Sequence, residues 1–184
     1  MKIFNKLESY EKIRTLNLNK LPEKIFNQKN EKDIIDFLEN NPAKYYAIRD
    51  KSKSGGIFKL KVEKENVLNE VTGYEKFSIN VSSINYCDNQ ILVGEIQVLS
   101  NNDIFIIATT DKYSSVRDAY KKPEYNLHTN IYDKKLDDIP GFDYIYNYVF
   151  ENNLMDVIVE FALYNIPVGI YDKNIVLFEI RTDY

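Results

Sequence analysis

Asp156-Val157-Ile158-Val159-Glu160-Phe161-Ala162-Leu163 and Asn174-Ile175-Val176-Leu177-Phe178-Glu179-Ile180-Arg181 are the stretches whose reading decides the fold. Each is an apolar, strand-like run interrupted by one carboxylate, Glu160 in the first and Glu179 in the second. An ionised carboxylate taken out of water is costly unless a cation or strong donors meet it. Two of them on neighbouring strands point to a metal site, or to a shared arginine, in a cleft. Side chains two apart on a strand share a face, which puts Arg181 beside Glu179. Carboxylate oxygens suit magnesium, which commonly takes one or two of them together with phosphates. On this reading Glu160 and Glu179 hold the ion and Arg181 binds phosphate. A structural Glu–Arg ion pair, or simple exposure on an edge strand, accounts for the same residues.

Working outward, the 184 residues suffice for one domain with a sizeable core or for two small lobes. A hydrophobic fraction of 44% predicts a folded chain, and 28% charged residues is ordinary for a soluble protein. The apolar runs are too short to cross a bilayer, and Met1 to Lys6 are not followed by the apolar stretch of a signal peptide. One cysteine, Cys87, excludes an internal disulfide framework and fits a reducing, cytoplasmic setting. A net charge of −4 argues against a broad nucleic-acid surface.

The first third reads as helical. Leu7, Tyr10, Ile13 and Arg14 follow helical spacing, with Ser9 as a cap candidate. Asn30 is a plausible N-cap with Asp33 three residues on. Ile34, Ile35, Phe37 and Leu38 form the apolar side of the helix that follows, and Pro42 ends it. From Tyr45 the period changes to that of strands: Tyr45 to Arg49, then Phe58, Leu60 and Val62 alternating with lysines, then Phe77, Ile79 and Val81 alternating with Ser78, Asn80 and Ser82. A short helix over 65–71 closes at Gly73. Residues 91–99 and 104–109 make a hairpin. Residues 110–140 are polar and read as a long functional loop, and Phe142, Ile145, Tyr146, Val149 and Phe150 mark an amphipathic helix. The end of the chain reads as three strands, over 157–163, 168–171 and 174–181.

Arg49-Asp50-Lys51-Ser52-Lys53-Ser54-Gly55-Gly56 offers small residues and cations at the end of an apolar strand. Such a segment lets backbone N–H groups approach a phosphate, although a solvated turn has the same composition, and the P-loop pattern is missing. Arg49 projects from the strand end. Lys59 and Lys61 share a strand face and either meet phosphates or water. Ser78, Asn80 and Ser82 either bond a base or form the wet face of a sheet. Glu95, inside Ile91-Leu92-Val93-Gly94-Glu95-Ile96, is a third acidic group for the site or an exposed sheet residue. His128 and Cys87 lack the partners that a nucleophile or a zinc site requires.

Taken in order, these pieces resemble the ATP-grasp superfamily and, less specifically, the nucleotide-binding domain of pyruvate phosphate dikinase and phosphoenolpyruvate synthase. Leu16-Asn17-Leu18-Asn19-Lys20-Leu21-Pro22 is similar to the lead-in of such domains. Tyr45 to Ser52 resembles a strand ending in a nucleotide-contacting arginine, and Gly55-Gly56 resembles the flexible loop over the phosphates. Phe77 to Ser82 corresponds to the strand leading to the adenine hinge, and Glu160 with Glu179-Ile180-Arg181 to the paired acidic strands that hold magnesium. Three departures stand out. Many members end Glu-x-Asn where this chain has Glu179-Ile180-Arg181. The usual strand lysine is replaced by Arg49, with Lys53 or Lys59 as substitutes. The chain is compact, with no evident substrate or phosphohistidine domain.

The resemblance implies an α+β, two-lobed fold of mostly antiparallel sheets and a few flanking helices, with ATP held between two sheets. The expected parts are a helical segment over 1–44, a smaller lobe over 45–109 and a C-terminal lobe over 110–184. It implies ATP and Mg2+ as cofactors and ligase or phosphotransferase chemistry on a small carboxylate or phosphate acceptor. Arg49 and Arg181 are the catalytic candidates. Arg49, Lys53, Gly55, Gly56, Lys59 and Asn80 are the nucleotide contacts, Glu160 and Glu179 the metal ligands, and Arg117 a contact for an anionic acceptor. The expected partners are nucleotide and acceptor, with a homo-oligomer or partner subunit open and neither nucleic acid nor membrane. The alternative is a non-catalytic nucleotide-binding or interaction module.

Overall fold

Two sets of alternating apolar residues build two separate sheets. The computed structural model describes residues 6–50 and 58–182. The elements in the first half are α1 (Lys6–Thr15), β1 (Glu23–Phe26), α2 (Glu31–Asn40), β2 (Tyr45–Asp50), β3 (Phe58–Glu63), α3 (Val67–Glu70) and β4 (Phe77–Val81). Then come β5 (Gln90–Val98), β6 (Asp103–Thr109), α4 (Val116–Lys121), β7 (Tyr125–Asn130), α5 (Phe142–Glu151), β8 (Ile158–Val168) and β9 (Lys173–Arg181). The chain divides into two compact units, Leu21–Cys87, and Met1–Lys20 together with Asp88–Tyr184. The sequence boundaries at 44/45 and 109/110 fall inside these units.

In the unit Leu21–Cys87 the sheet order is β1-β4-β2-β3, antiparallel throughout. Asn30 caps α2 as its sequence position predicts: its side-chain oxygen accepts from Asp33 N at 3.2 Å, worth about 1 kcal/mol. Ile34, Phe37 and Leu38 of α2 pack with Tyr46, Ile48, Phe77 and Ile79. Ile35, counted with them by spacing, is exposed instead. β1 replaces part of the helical reading of the first third. Ser78, on the inner strand β4, is buried, and so is Ser82 just beyond it, whose hydroxyl donates to Leu60 O at 2.6 Å. Cys87 lies within a 3-10 helical segment over Ser83–Asn89 and is buried.

In the other unit the sheet order is β7-β6-β5-β8-β9, again antiparallel. One face carries Leu92, Ile96, Ile104, Ile106, Val159, Phe161, Ile175, Leu177 and Ile180, packed against Ile13 of α1 and Ile145 and Val149 of α5. The polar stretch 110–140 is not one loop. Ser115 and Asp118 form a capping box that starts α4, and β7 then pairs along β6. The three expected terminal strands are two, since β8 runs unbroken to Val168 through a ladder irregularity between Leu163 and Val168.

α1 and the segment after it close the open edge of β9. Ser9, expected to cap α1, lies inside the helix, and its hydroxyl accepts from Ile180 N at 2.8 Å. Asn19 O accepts from Leu177 N at 2.9 Å. An edge strand otherwise leaves such N–H groups unpaired. Asn19 is itself buried, and its side chain grips the β8–β9 turn. Its amide donates to Val168 O at 2.8 Å and Ile175 O at 2.7 Å, while its oxygen accepts from Tyr171 N at 2.9 Å. Gly169 turns there with φ +84°, and a Cβ on it would stand 2.6 Å from Asn19 Oδ1 and 2.7 Å from Lys20 O.

Candidate functional site

The sheet face opposite that core carries a row of three glutamates. Glu95 of β5 stands opposite Glu160 of β8, and Glu160 stands opposite Glu179 of β9. Directly opposed residues in an antiparallel pair project to the same side. Glu95 is 2% and Glu179 9% exposed. Arg181, two residues beyond Glu179, shares that face. Its Nη1 donates to Glu160 Oε1 at 2.6 Å, and its Nη2 donates to Glu95. The side chain thus reaches from β9 across β8 to β5. Tyr120 of α4 completes the group, accepting from Arg181 Nη2 at 3.3 Å.

Burial works against the charge on Arg181, but the attraction of Glu95 and the hydrogen bonds to Glu160 and Glu95 outweigh it, raising its pKa further above the usual arginine range. A guanidinium between two carboxylates is a charge-assisted arrangement, stronger than neutral hydrogen bonds. Its planar fork suits this use better than a lysine ammonium would.

The ATP-grasp resemblance places magnesium on Glu160 and Glu179. The oxygen chemistry of the row suits that ion. The arrangement does not fit it: Glu160 and Glu95 are bound to a guanidinium, and among the described residues no group of three His, Cys, Asp or Glu side chains is set to hold a metal ion. As arranged, the row is an arginine site.

The remaining candidates lie in the unit Leu21–Cys87. Arg49 stands opposite Ser78, and Ala47 opposite Asn80, so Arg49 and Asn80 share a sheet face. The Arg49 guanidinium lies over the Phe58 ring, 4.6 Å from its centroid. Asn80 Nδ2 donates to Val81 O at 3.1 Å. Lys59 stands opposite Ile48, on the other face from Arg49, and pairs with Glu70 of α3, whose hydrogen bond raises the lysine pKa. The structure therefore brings Arg49 together with Asn80 and not with Lys59. Lys53, Gly55 and Gly56 lie outside the described residues. Arg117 is exposed on α4, and His128 is exposed on β7 with its ring stacked on Phe105 at 3.8 Å.

Sequence reasoning singled out Glu95 only as an open question and missed Tyr120. The signal for Glu95 was a lone carboxylate in an apolar strand, the same signal that marked Glu160 and Glu179. Tyr120 gave none, since its segment read as loop.

No family model matches the chain. No curated protein matches it in sequence. Solved structures do match. The macrocyclase MdnC of Microcystis aeruginosa MRC, bound with its precursor peptide MdnA, gives a TM-score of 0.51 at 14% identity, over 98% of this chain and 51% of its own. The N5-carboxyaminoimidazole ribonucleotide synthetase purK, in its ADP complex, gives 0.53 at 7% identity, over 98% of this chain and 45% of its own. The chain spans about half the length of these structures. At such identity the likeness is one of fold, and that fold is ATP-grasp-like: α+β, with two antiparallel sheets and a few helices. Among the described residues no helix is long and apolar enough to cross a membrane.

Proposed function

We propose that the chain binds ATP and uses it to activate a small carboxylate or phosphate acceptor, as a ligase or phosphotransferase of ATP-grasp type. The observation that carries this reading is Arg181, fixed by Glu95 and Glu160 on one sheet face of an ATP-grasp-like fold. The ADP complex and the peptide-bound macrocyclase among the matching structures support it.

In this proposal Arg181 faces the phosphates and stabilises the charge on the migrating phosphoryl group. Any magnesium would be carried by the phosphates of the nucleotide, and no part of the transfer is assigned to the ion. Arg49 and Asn80, on one sheet face of the unit Leu21–Cys87, remain the candidates there for nucleotide contact. With a carboxylate acceptor, one carboxylate oxygen attacks the γ-phosphorus, the bond from that phosphorus to the bridging oxygen breaks, and ADP leaves with its electrons. The product is an acyl phosphate.

Binding and chemistry are tested together. ATP with magnesium at about 100 times its dissociation constant stabilises the folded chain by about 2.7 kcal/mol, read as a rise in unfolding temperature. Incubation with ATP, a panel of carboxylic acids and hydroxylamine then traps acyl phosphate as a hydroxamate. No thermal shift with any nucleotide removes the binding reading. A shift without hydroxamate or phosphorylated product removes the transfer reading.

A further inference from the structure

We propose that Arg181 is a built-in substitute for a protein-held divalent cation: its guanidinium is the positive charge that Glu95 and Glu160 bind, and it meets the phosphates of the ligand in place of a metal ion. The inference rests on the nucleotide reading for the identity of that ligand, and on the geometry alone for the charge.

Glu95, Glu160 and Glu179 stand side by side on three adjacent strands. Their side chains are mostly buried, and carboxylates so placed need a cation close by. The cation supplied is covalent. Arg181 crosses β8 to touch carboxylates on two strands, and Tyr120 holds it from α4. Glu95, almost wholly buried, acts as a positioning residue, since its contact with Nη2 fixes the far end of the side chain. A divalent ion on the same carboxylates would sit a few ångströms from a permanent positive charge, and repulsion would weaken it. The ending Glu179-Ile180-Arg181 thus places a guanidinium where many members of the resembling superfamily carry an asparagine.

The test uses the full chain without nucleotide and Mn2+ as the probe, read by the loss of its free electron-paramagnetic-resonance signal. The wild type is expected to leave Mn2+ free up to about 1 mM, the weak end of carboxylate sites. Arg181→Asn is expected to bind Mn2+ on the order of a hundredfold more tightly, the effect of removing a unit charge a few ångströms away in a partly screened site. Arg181→Lys, which keeps the charge, is expected to gain nothing. Equal Mn2+ affinity in wild type and Arg181→Asn overturns the proposal, as does a gain in Arg181→Lys equal to that in Arg181→Asn. Where Arg181→Asn fails to fold, Arg181→Asn/Glu95→Gln, which keeps Glu160 and Glu179, carries the same two outcomes. A parallel calorimetric titration with ATP separates the two readings: a wild type that ignores ATP overturns the nucleotide assignment, and the Mn2+ comparison still decides the charge.

Discussion

Arg181→Met, measured beside Glu95→Gln and the double variant, asks whether the carboxylate row depends on the guanidinium for stability. The side chains of Arg181, Glu95 and Glu160 are 20%, 2% and 19% exposed, so the pairs are buried enough to be coupled. Methionine keeps the apolar stem and removes the charge, leaving Glu95 buried without its guanidinium. Breaking a buried pair from one side costs about 3–5 kcal/mol. Glu95→Gln alone loses a charge-assisted hydrogen bond but leaves Arg181 its bond to Glu160, a loss of about 1.5–3 kcal/mol. In the double variant no charge remains at position 95, so the two losses do not add. The expected coupling is at least about 2 kcal/mol, within the range seen for groups in direct contact. Urea unfolding followed by circular dichroism and tyrosine fluorescence gives all four stabilities. A loss below about 1 kcal/mol in Arg181→Met, or singles and double that add, would show that the guanidinium does not support the row, because buried carboxylates cannot lose their counter-charge at no cost.

Other expectations concern the frame around the site. Asn19→Ala removes the side-chain hydrogen bonds to Val168 O, Ile175 O and Tyr171 N and is expected to destabilise by about 3–6 kcal/mol in urea unfolding, at roughly 1–2 kcal/mol for each of these orphaned groups. Gly169→Ala places a methyl against the same asparagine at positive φ and is expected to lose about 1–3 kcal/mol by the same assay. Asp156 accepts from the Ser100 hydroxyl and backbone N–H, which lowers its pKa. Because the folded value lies below the unfolded one, this contribution is present above the unfolded carboxylate range and is lost as pH falls through the folded value. Ser100→Ala is expected to move the Asp156 titration upward by NMR and to flatten the acid limb of the stability profile. An unmoved titration would contradict the assignment.

Much of the frame was legible because it rests on local signals. The Asn30 cap, the period-two runs at 77–81 and 91–109 and the helical spacing from Phe142 each depend on neighbours within a few residues. β1 was hidden because Glu-Lys-Ile-Phe has no clean alternation, and it becomes a strand only by pairing with β4. β8 looked broken at Asn165-Ile166-Pro167, where proline argues against a strand; the ladder is irregular there, so the missing N–H is tolerated. α4 and β7 lay in polar sequence, with Ser115 and Asp118 as the one usable signal.

The candidate site was half legible. Alternation correctly put Arg181 beside Glu179. It would also put Leu177 on that side, yet Leu177 is in the core, because the β8–β9 register shifts at Glu160/Phe161 and Phe178 is bulged. A bulge reverses the parity of a strand, and nothing in an apolar run announces it. The match of Glu95 to Glu160 depends on the order of three strands, two of them far apart in the chain, which single-strand periodicity does not contain.

The measurement that bears most directly on the whole account is a calorimetric titration of ATP with magnesium into the wild type and into Arg181→Met, each first shown to be folded. The expectation is saturable binding by the wild type and an affinity at least about tenfold lower in the variant, the loss of one charge-assisted contact of about 1.5 kcal/mol. Equal affinity in the two proteins, or no heat from either, would contradict it.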